Sequence, residues 1–226
     1  MYQEIDTVLR FILMGFFLLF TIISFLNFKK AKGEQLNVSS KYFLSMSIFF
    51  LISLINYIQA EINLQFQVLP TIQYTIPLGS PPLVMPFTTV MFILFFIPSV
   101  LPVIYVNERY FQKWEKPYIT FLGLISFVLL IITILSPQLT LITLAIGLTS
   151  MILMFLIFLS LYIKMAVKST GMLRTSASMM IAGWILLLIS LLIPLPLDIL
   201  IQSIFNHSIA IVGTILLFIG IKISGK

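Results

Sequence analysis

The 226-residue chain contains no cysteine, one histidine and few charged residues. Without cysteine it cannot form disulfides, bind metals through thiolates or use a thiol nucleophile. A single histidine cannot ligate a haem pair or complete a zinc site by itself. Charged residues make up 9% of the chain, whereas soluble domains carry about 25%. A soluble fold is therefore excluded, and no cofactor is expected.

Apolar residues make up 60% of the chain and occur in long runs. About 20 residues are needed to cross a hydrocarbon core of about 30 Å, and a single segment in hydrocarbon must be helical to satisfy its backbone. The sequence therefore predicts an all-α, polytopic membrane bundle in the cell membrane, forming one domain over residues 1–226. The seven predicted spans are 11–28, 42–60, 84–106, 118–135, 139–163, 175–193 and 199–221.

Basic residues are distributed asymmetrically between the predicted connectors. Twelve of the thirteen lie in the first, third and fifth connectors or in the tail, and only Arg10 lies on the other side. Since Lys and Arg near span ends stay on the cytoplasmic side, the N-terminus is predicted outside and the C-terminus in the cytoplasm. The chain opens with Glu4 and Asp6 and shows no cleavage pattern, so the first span is interpreted as retained. The basic residues form no continuous stripe, so no nucleic-acid partner is expected.

Two polar stripes at the outer ends of spans two and seven form the ligand-binding hypothesis. In span seven Asp198, Gln202 and Asn206 recur every fourth residue, and in span two Tyr57 and Glu61 have the same spacing. Residues four apart share a helix face, and polar side chains at membrane depth face the bundle interior or a cavity. These residues predict a shallow pocket open to the outside. Hydrogen bonding between the two helices is the alternative interpretation.

Span three contains the first candidates for a conformational switch. Pro98 and Pro102 remove two backbone donors within about one turn, which predicts a kink or hinge, although proline is also common in membrane helices without such a role. The following sequence, Asn107-Glu108-Arg109-Tyr110, resembles the acid-arginine-tyrosine motif of rhodopsin-like G-protein-coupled receptors. The resemblance implies that Arg109 helps hold an inactive state, with Glu108 as its local acid partner. The chain departs from that family in lacking an Asn-Pro-x-x-Tyr sequence in span seven and an outer disulfide.

His207, the only histidine, is the remaining switch candidate. It lies about 12 Å below the outer end of span seven, and an imidazole can titrate near neutrality and act as a proton sensor. Ser203, one turn earlier, is a suitable hydrogen-bond partner. The alternative interpretation is an ordinary interior histidine with its hydrogen bonds satisfied.

A short basic turn joins spans five and six and starts a helix. Its sequence, within KMAVKSTGMLRTSASMMIAGWILLLISLLIP, resembles the same junction in prokaryotic seven-transmembrane sensor modules, which often precede kinase or cyclase domains. The resembling residues are Lys168, Ser169, Thr170, Gly171, Arg174, Ala177 and Gly183. The resemblance implies a sensor. Because no effector domain follows within the chain, the effector is expected to be a separate cytoplasmic partner.

These observations favour a receptor-like or sensor-like membrane module that binds a small or apolar ligand from the outer side and signals to a cytoplasmic partner. No enzyme activity is expected, since no phosphate loop, metal-ligand cluster or nucleophile paired with the histidine appears. A small-solute transporter of three-plus-one-plus-three type and a non-catalytic subunit of a larger membrane complex are the alternatives. The expected partners are the lipid bilayer and a cytoplasmic effector or other membrane subunits.

Overall fold

The computed structural model describes residues 2–66, 73–76, 83–113, 115–135, 140–192 and 199–224. Within these residues the chain is almost entirely helical. Six of the described helices are long and apolar enough to cross a membrane, which supports a multi-pass helical membrane protein; the count of seven spans and the orientation stay predictions. The helices are α1 (Tyr2–Gly33), α2 (Asn37–Phe66), α3 (Phe87–Val106), α4 (Tyr118–Leu135), α5 (Thr140–Lys168), α6 (Gly171–Leu192) and α7 (Ile199–Ser224).

Helix α4 begins and ends where the sequence predicted, whereas α1 and α2 extend well beyond their apolar runs. Helix α1 begins at Tyr2 and ends at Gly33, so Asp6 and Arg10 belong to it. Hydropathy marks only the part of a helix that lies in hydrocarbon, and nothing prevents the helix from continuing through polar residues on either side. The extension of α1 places charged groups on a membrane helix.

The end of α1 is closed by a Schellman motif with an unusual central residue. Leu36 N–H donates to the Ala31 carbonyl at 2.9 Å, and Gln35 N–H donates to the Lys32 carbonyl at 3.2 Å. Gln35 adopts a left-handed conformation, with φ of 58°, at the position that glycine usually occupies in this motif. The motif explains why the chain turns sharply into α2.

The connector between α2 and α3 contains a short antiparallel hairpin among its described residues. Strands β1 (Gln73–Ile76) and β2 (Leu83–Pro86) pair with Gln73 opposite Pro86. The helix predicted from residue 84 therefore begins three residues later, at Phe87. The reason is Pro86, because the residue before a proline disfavours helical backbone angles.

The chain packs into two compact units, one of residues 1–23 and 157–226 and the other of residues 24–156. In the first unit α6 and α7 approach each other most closely at glycines. A Cβ added to Gly183 would lie 2.8 Å from the Gly213 carbonyl oxygen and 2.7 Å from Leu217 Cγ. Ser176 Oγ donates to the Gly220 carbonyl at 2.7 Å. The two helices thus touch backbone to backbone, as small residues permit in membrane helices.

Aromatic ring pairs also pack in the core of each unit. Phe20 of α1 stacks on Phe218 of α7 with ring centroids 4.0 Å apart. Trp184 is buried and meets the Phe158 ring edge-on at 5.4 Å. In the second unit Phe96 stacks on Phe155 at 5.6 Å. Offset and edge-to-face ring pairs stabilise by about 1 kcal/mol beyond the apolar area they bury.

The close approach of α6 and α7 predicts that alanine substitution lowers stability at one glycine of the first unit and not at another. Gly183→Ala should lower stability by about 1 to 3 kcal/mol, because the added methyl meets a backbone carbonyl that cannot move aside. Gly15→Ala, whose Cβ meets nothing within 4 Å, should be neutral or stabilising because alanine favours helix. Thermal unfolding in detergent micelles measures both; equal loss in the two variants would contradict the packing.

Candidate functional site

Four side chains from α1 and α7 meet in what we call the Asp6 cluster: Asp6, Arg10, Ser203 and His207. Asp6 Oδ1 lies 3.0 Å from His207 Nδ1, and Asp6 Oδ2 lies 3.3 Å from Arg10 Nη2. Ser203 Oγ lies 3.4 Å from the same Nδ1. Each helix contributes two residues spaced by four, so each pair shares one helix face. The cluster therefore joins two helices through Asp6 and His207, which are 201 residues apart in the sequence.

The cluster is largely removed from solvent. The side chains of Asp6, Arg10 and His207 are 9%, 13% and 16% exposed. Both helices include long apolar stretches that can cross a membrane. A charge in such surroundings is costly unless it is paired and hydrogen-bonded. Asp6 meets both conditions, since each of its carboxylate oxygens contacts a nitrogen donor.

The hydrogen-bond geometry fixes what the histidine can do. An ionised carboxylate only accepts hydrogen bonds, so Nδ1 must carry the proton that it donates to Asp6. Nε2 is then the unprotonated ring nitrogen of neutral His207. In a serine nucleophile triad the serine and the carboxylate contact opposite nitrogens of the imidazole, whereas Ser203 and Asp6 contact the same one. The cluster can accept a proton at Nε2, but it does not activate Ser203.

The residues of the pocket hypothesis occupy both units. Tyr57 and Glu61 are half-buried on α2 in the second unit, and Gln202 and Asn206 are half-buried on α7 in the first. Asp198 lies outside the described residues. The pocket predicted between these helices stays a prediction.

His207 has the predicted contact with Ser203, but its closer partner, Asp6, was missed by sequence reasoning. Asp6 precedes the first predicted span, 11–28, and the sequence analysis predicts no partner for it. The available signal was the spacing of Asp6 and Arg10, an i,i+4 acid–base pair typical of a helix. That spacing alone does not indicate His207 as a third partner.

Just beyond the C-terminal end of α3, a buried carboxylate caps the start of α4. Glu108 is fully buried, and it accepts hydrogen bonds from the backbone N–H groups of Ile119 at 2.5 Å and Thr120 at 3.0 Å. The Thr120 hydroxyl donates to it as well, at 2.5 Å. Pro117 precedes α4 and has no side-chain acceptor of its own. Glu108 thus supplies from a distance the acceptor that an N-cap residue normally supplies locally.

The residues beside Glu108 make separate contacts. Arg109 is exposed and donates to the Glu115 carbonyl at 2.5 Å, while Lys41 Nζ donates to the Tyr110 hydroxyl at 2.6 Å. The receptor-family resemblance implied that Glu108 pairs with Arg109, but the hydrogen bonds described for the Glu108 carboxylate go to α4. Their arrangement gives Glu108 a structural role, and the switch role of Arg109 stays a prediction.

Pro98 and Pro102 both lie inside α3, which remains α-helical to Val106 and continues as a five-residue π-helix, Asn107–Phe111. The two prolines leave the carbonyls of Leu94 and Pro98 without the helical donors they would otherwise receive. π-Helical turns often occur at functional sites. The predicted hinge in this helix stays a prediction.

No group of three or more His, Asp or Glu side chains in the described part of the chain is arranged to hold a metal ion. Comparison of the chain with protein-family models, with curated proteins and with solved structures finds no match. The function of the chain must therefore be inferred from its own side chains, and above all from the Asp6 cluster.

Removing the central carboxylate should destabilise the first unit. Asp6→Ala leaves Arg10 and His207 without their shared acceptor in a buried setting, which should lower stability by about 3 kcal/mol. Glu4→Gln is the matched control, since Glu4 is an exposed acid of the same helix and should change stability by less than about 0.5 kcal/mol. Chemical unfolding in micelles measures the difference, and equal effects would contradict a buried pairing role.

The cap on α4 gives an independent prediction in the second unit. Glu108→Ala should lower stability by about 2 kcal/mol, because two backbone donors and a hydroxyl lose their acceptor. Glu115→Gln, a change at an exposed acid of the same connector, should have little effect because the hydrogen bond described from Arg109 goes to the Glu115 backbone carbonyl. Hydrogen exchange at the first turn of α4 should rise in Glu108→Ala alone; protection equal to that of the unmodified protein would argue against the cap.

Proposed function

We propose that this chain is a receptor-like or sensor-like membrane module that responds to a small stimulus from the outer side and signals to a cytoplasmic partner. The observation that carries the proposal is the Asp6 cluster, in which an acid, a base and an imidazole are paired within apolar helices. Ionisable groups at such positions are rare in membrane helices and usually serve function. A purely structural helix contact could be made by apolar side chains at no desolvation cost.

The packing of α7 supports transmission along the first unit. From His207 to Gly220 the helix covers 13 residues, which is about 20 Å at 1.5 Å per residue. Over the second half of that distance α7 lies backbone to backbone against α6 at Gly213 and Gly220. Close-packed interfaces shift between discrete arrangements and do not deform continuously. A displacement of α7 at His207 would therefore be passed to the start of α6 and to the connector before it.

A site-specific cross-link tests signalling to a partner. A photo-reactive amino acid at Thr170, an exposed residue between α5 and α6, should capture a cytoplasmic partner in the native host. Asp6→Asn in the same background should change the yield of that adduct several-fold, because the charge at the centre of the cluster is lost. Glu4→Gln should leave the yield unchanged. An adduct that forms equally in all three proteins, or no adduct at all, would remove the sensor proposal.

A transporter of small solutes is the second candidate, and the same cluster favours it, because acid–histidine pairs also form proton relays in transporters. Solute flux into proteoliposomes containing only this protein would support it, provided that Asp6→Asn abolishes the flux. Co-purification with other membrane subunits in a fixed ratio, unchanged by Asp6→Asn, would instead favour an accessory subunit.

A further inference from the structure

We propose that the stimulus recognised by the Asp6 cluster is the hydrogen ion, which binds His207 at Nε2 and changes the contact between α1 and α7. The inference rests on the proposed sensor function and specifies its ligand. Of the four side chains in the cluster, the imidazole alone has an ordinary titration range between about pH 5 and pH 8. The hydrogen bond from Nδ1 to Asp6 leaves Nε2 as the site where the proton adds.

With a neutral imidazole the charges of the cluster balance. The negative charge of Asp6 is matched by the positive charge of Arg10, and both carboxylate oxygens are engaged, Oδ1 by His207 and Oδ2 by Arg10. A buried group of zero net charge is the arrangement that a low-dielectric interior tolerates best. This is the resting state of the proposed switch.

Addition of one proton to His207 leaves two cations sharing one carboxylate. The imidazolium attracts Asp6 more strongly than the neutral ring does, and it repels the Arg10 guanidinium on the other carboxylate oxygen. Arg10 is the partner that can move, because its long side chain can carry the charge toward the membrane–water interface while its stem stays in apolar surroundings. The Asp6–Arg10 contact within α1 therefore weakens, and the Asp6–His207 contact between α1 and α7 strengthens.

Few other charges in the described part of the first unit can act on His207. On α1 the additional charged residue is Glu4, which is exposed. On α6 it is Arg174, which lies two residues before Ser176, the partner of Gly220 at the far end of α7. On the portion of α5 in this unit they are Lys164 and Lys168, and on α7 itself Lys222, 15 residues beyond His207. Asp6 and Arg10 are thus the charged groups that face the imidazole.

Nuclear magnetic resonance can observe the proton directly, because the chain has a single histidine. Protein with ¹⁵N-labelled histidine in lipid nanodiscs should give one pair of ring signals. Near pH 8 these should report a proton on Nδ1 and none on Nε2, and on acidification toward about pH 5 both nitrogens should become protonated. In Asp6→Asn the preference for the Nδ1–H tautomer should weaken. A ring that stays neutral throughout this range would overturn the inference.

Spin-label distances test whether the proton moves the helices. The natural absence of cysteine allows labels at Val8→Cys and Ile201→Cys, exposed positions on α1 and α7. Between about pH 8 and pH 5 the mean distance should shift by about 1 to 2 Å, the size of helix movements in known switches. His207→Gln keeps a hydrogen-bond donor but cannot take up the proton, so the shift should be lost. Ser208→Ala, which changes a hydroxyl bonded within α7, should keep the shift.

The outcomes separate this inference from the sensor function. An equal distance change in His207→Gln, or no change in the unmodified protein while the ring titrates, would overturn the proton as stimulus. The Thr170 cross-link would still respond to Asp6→Asn if the module senses another small ligand through the same cluster. A pH-dependent distance with no partner adduct would instead leave a proton-binding site and remove the sensor proposal.

Discussion

Asp6 lies within apolar helices because two nitrogen donors reach its carboxylate, one from its own helix and one from α7. The cost of burying an unpaired carboxylate exceeds what one residue's burial can recover, so the position of the first turns of α1 depends on His207 and Arg10 together. The same dependence makes α7 sensitive to the charge of the cluster. Loss or gain of one charge alters the interaction that holds these two helices side by side.

A second constraint is that backbone groups buried away from water must find partners inside the protein. At the start of α4 the chain meets it with Glu108, whose carboxylate accepts from two backbone N–H groups that Pro117 has no side chain to satisfy. Between α6 and α7 glycines allow the helices to approach until Gly183 lies against Gly213. The two buried acids thus differ in kind. Glu108 completes a helix terminus, whereas Asp6 pairs with charged and polar groups of two helices.

Some features of the structure can be predicted from the sequence and others cannot. The bounds of α4 follow from the local sequence. Charged residues precede its apolar run, and Pro137 predicts a break before the next apolar run begins. The beginning of α1 does not, since helix continues beyond the hydrocarbon and no composition change marks Tyr2. Glu108 was recognised as part of a motif, but its role as a cap depends on the backbone N–H groups of residues 11 and 12 positions later. The motif does not predict how those residues are placed relative to Glu108.

The sequence by itself determined the class of protein and the helical nature of its spans, because runs of about 20 apolar residues have one way to satisfy their backbone in a membrane. It also indicated His207, the one histidine, as a candidate proton sensor. Only the tertiary structure decided which groups surround that histidine. The reason is physical: Asp6 and His207 are 201 residues apart, and no local periodicity encodes a contact that depends on how α1 packs against α7.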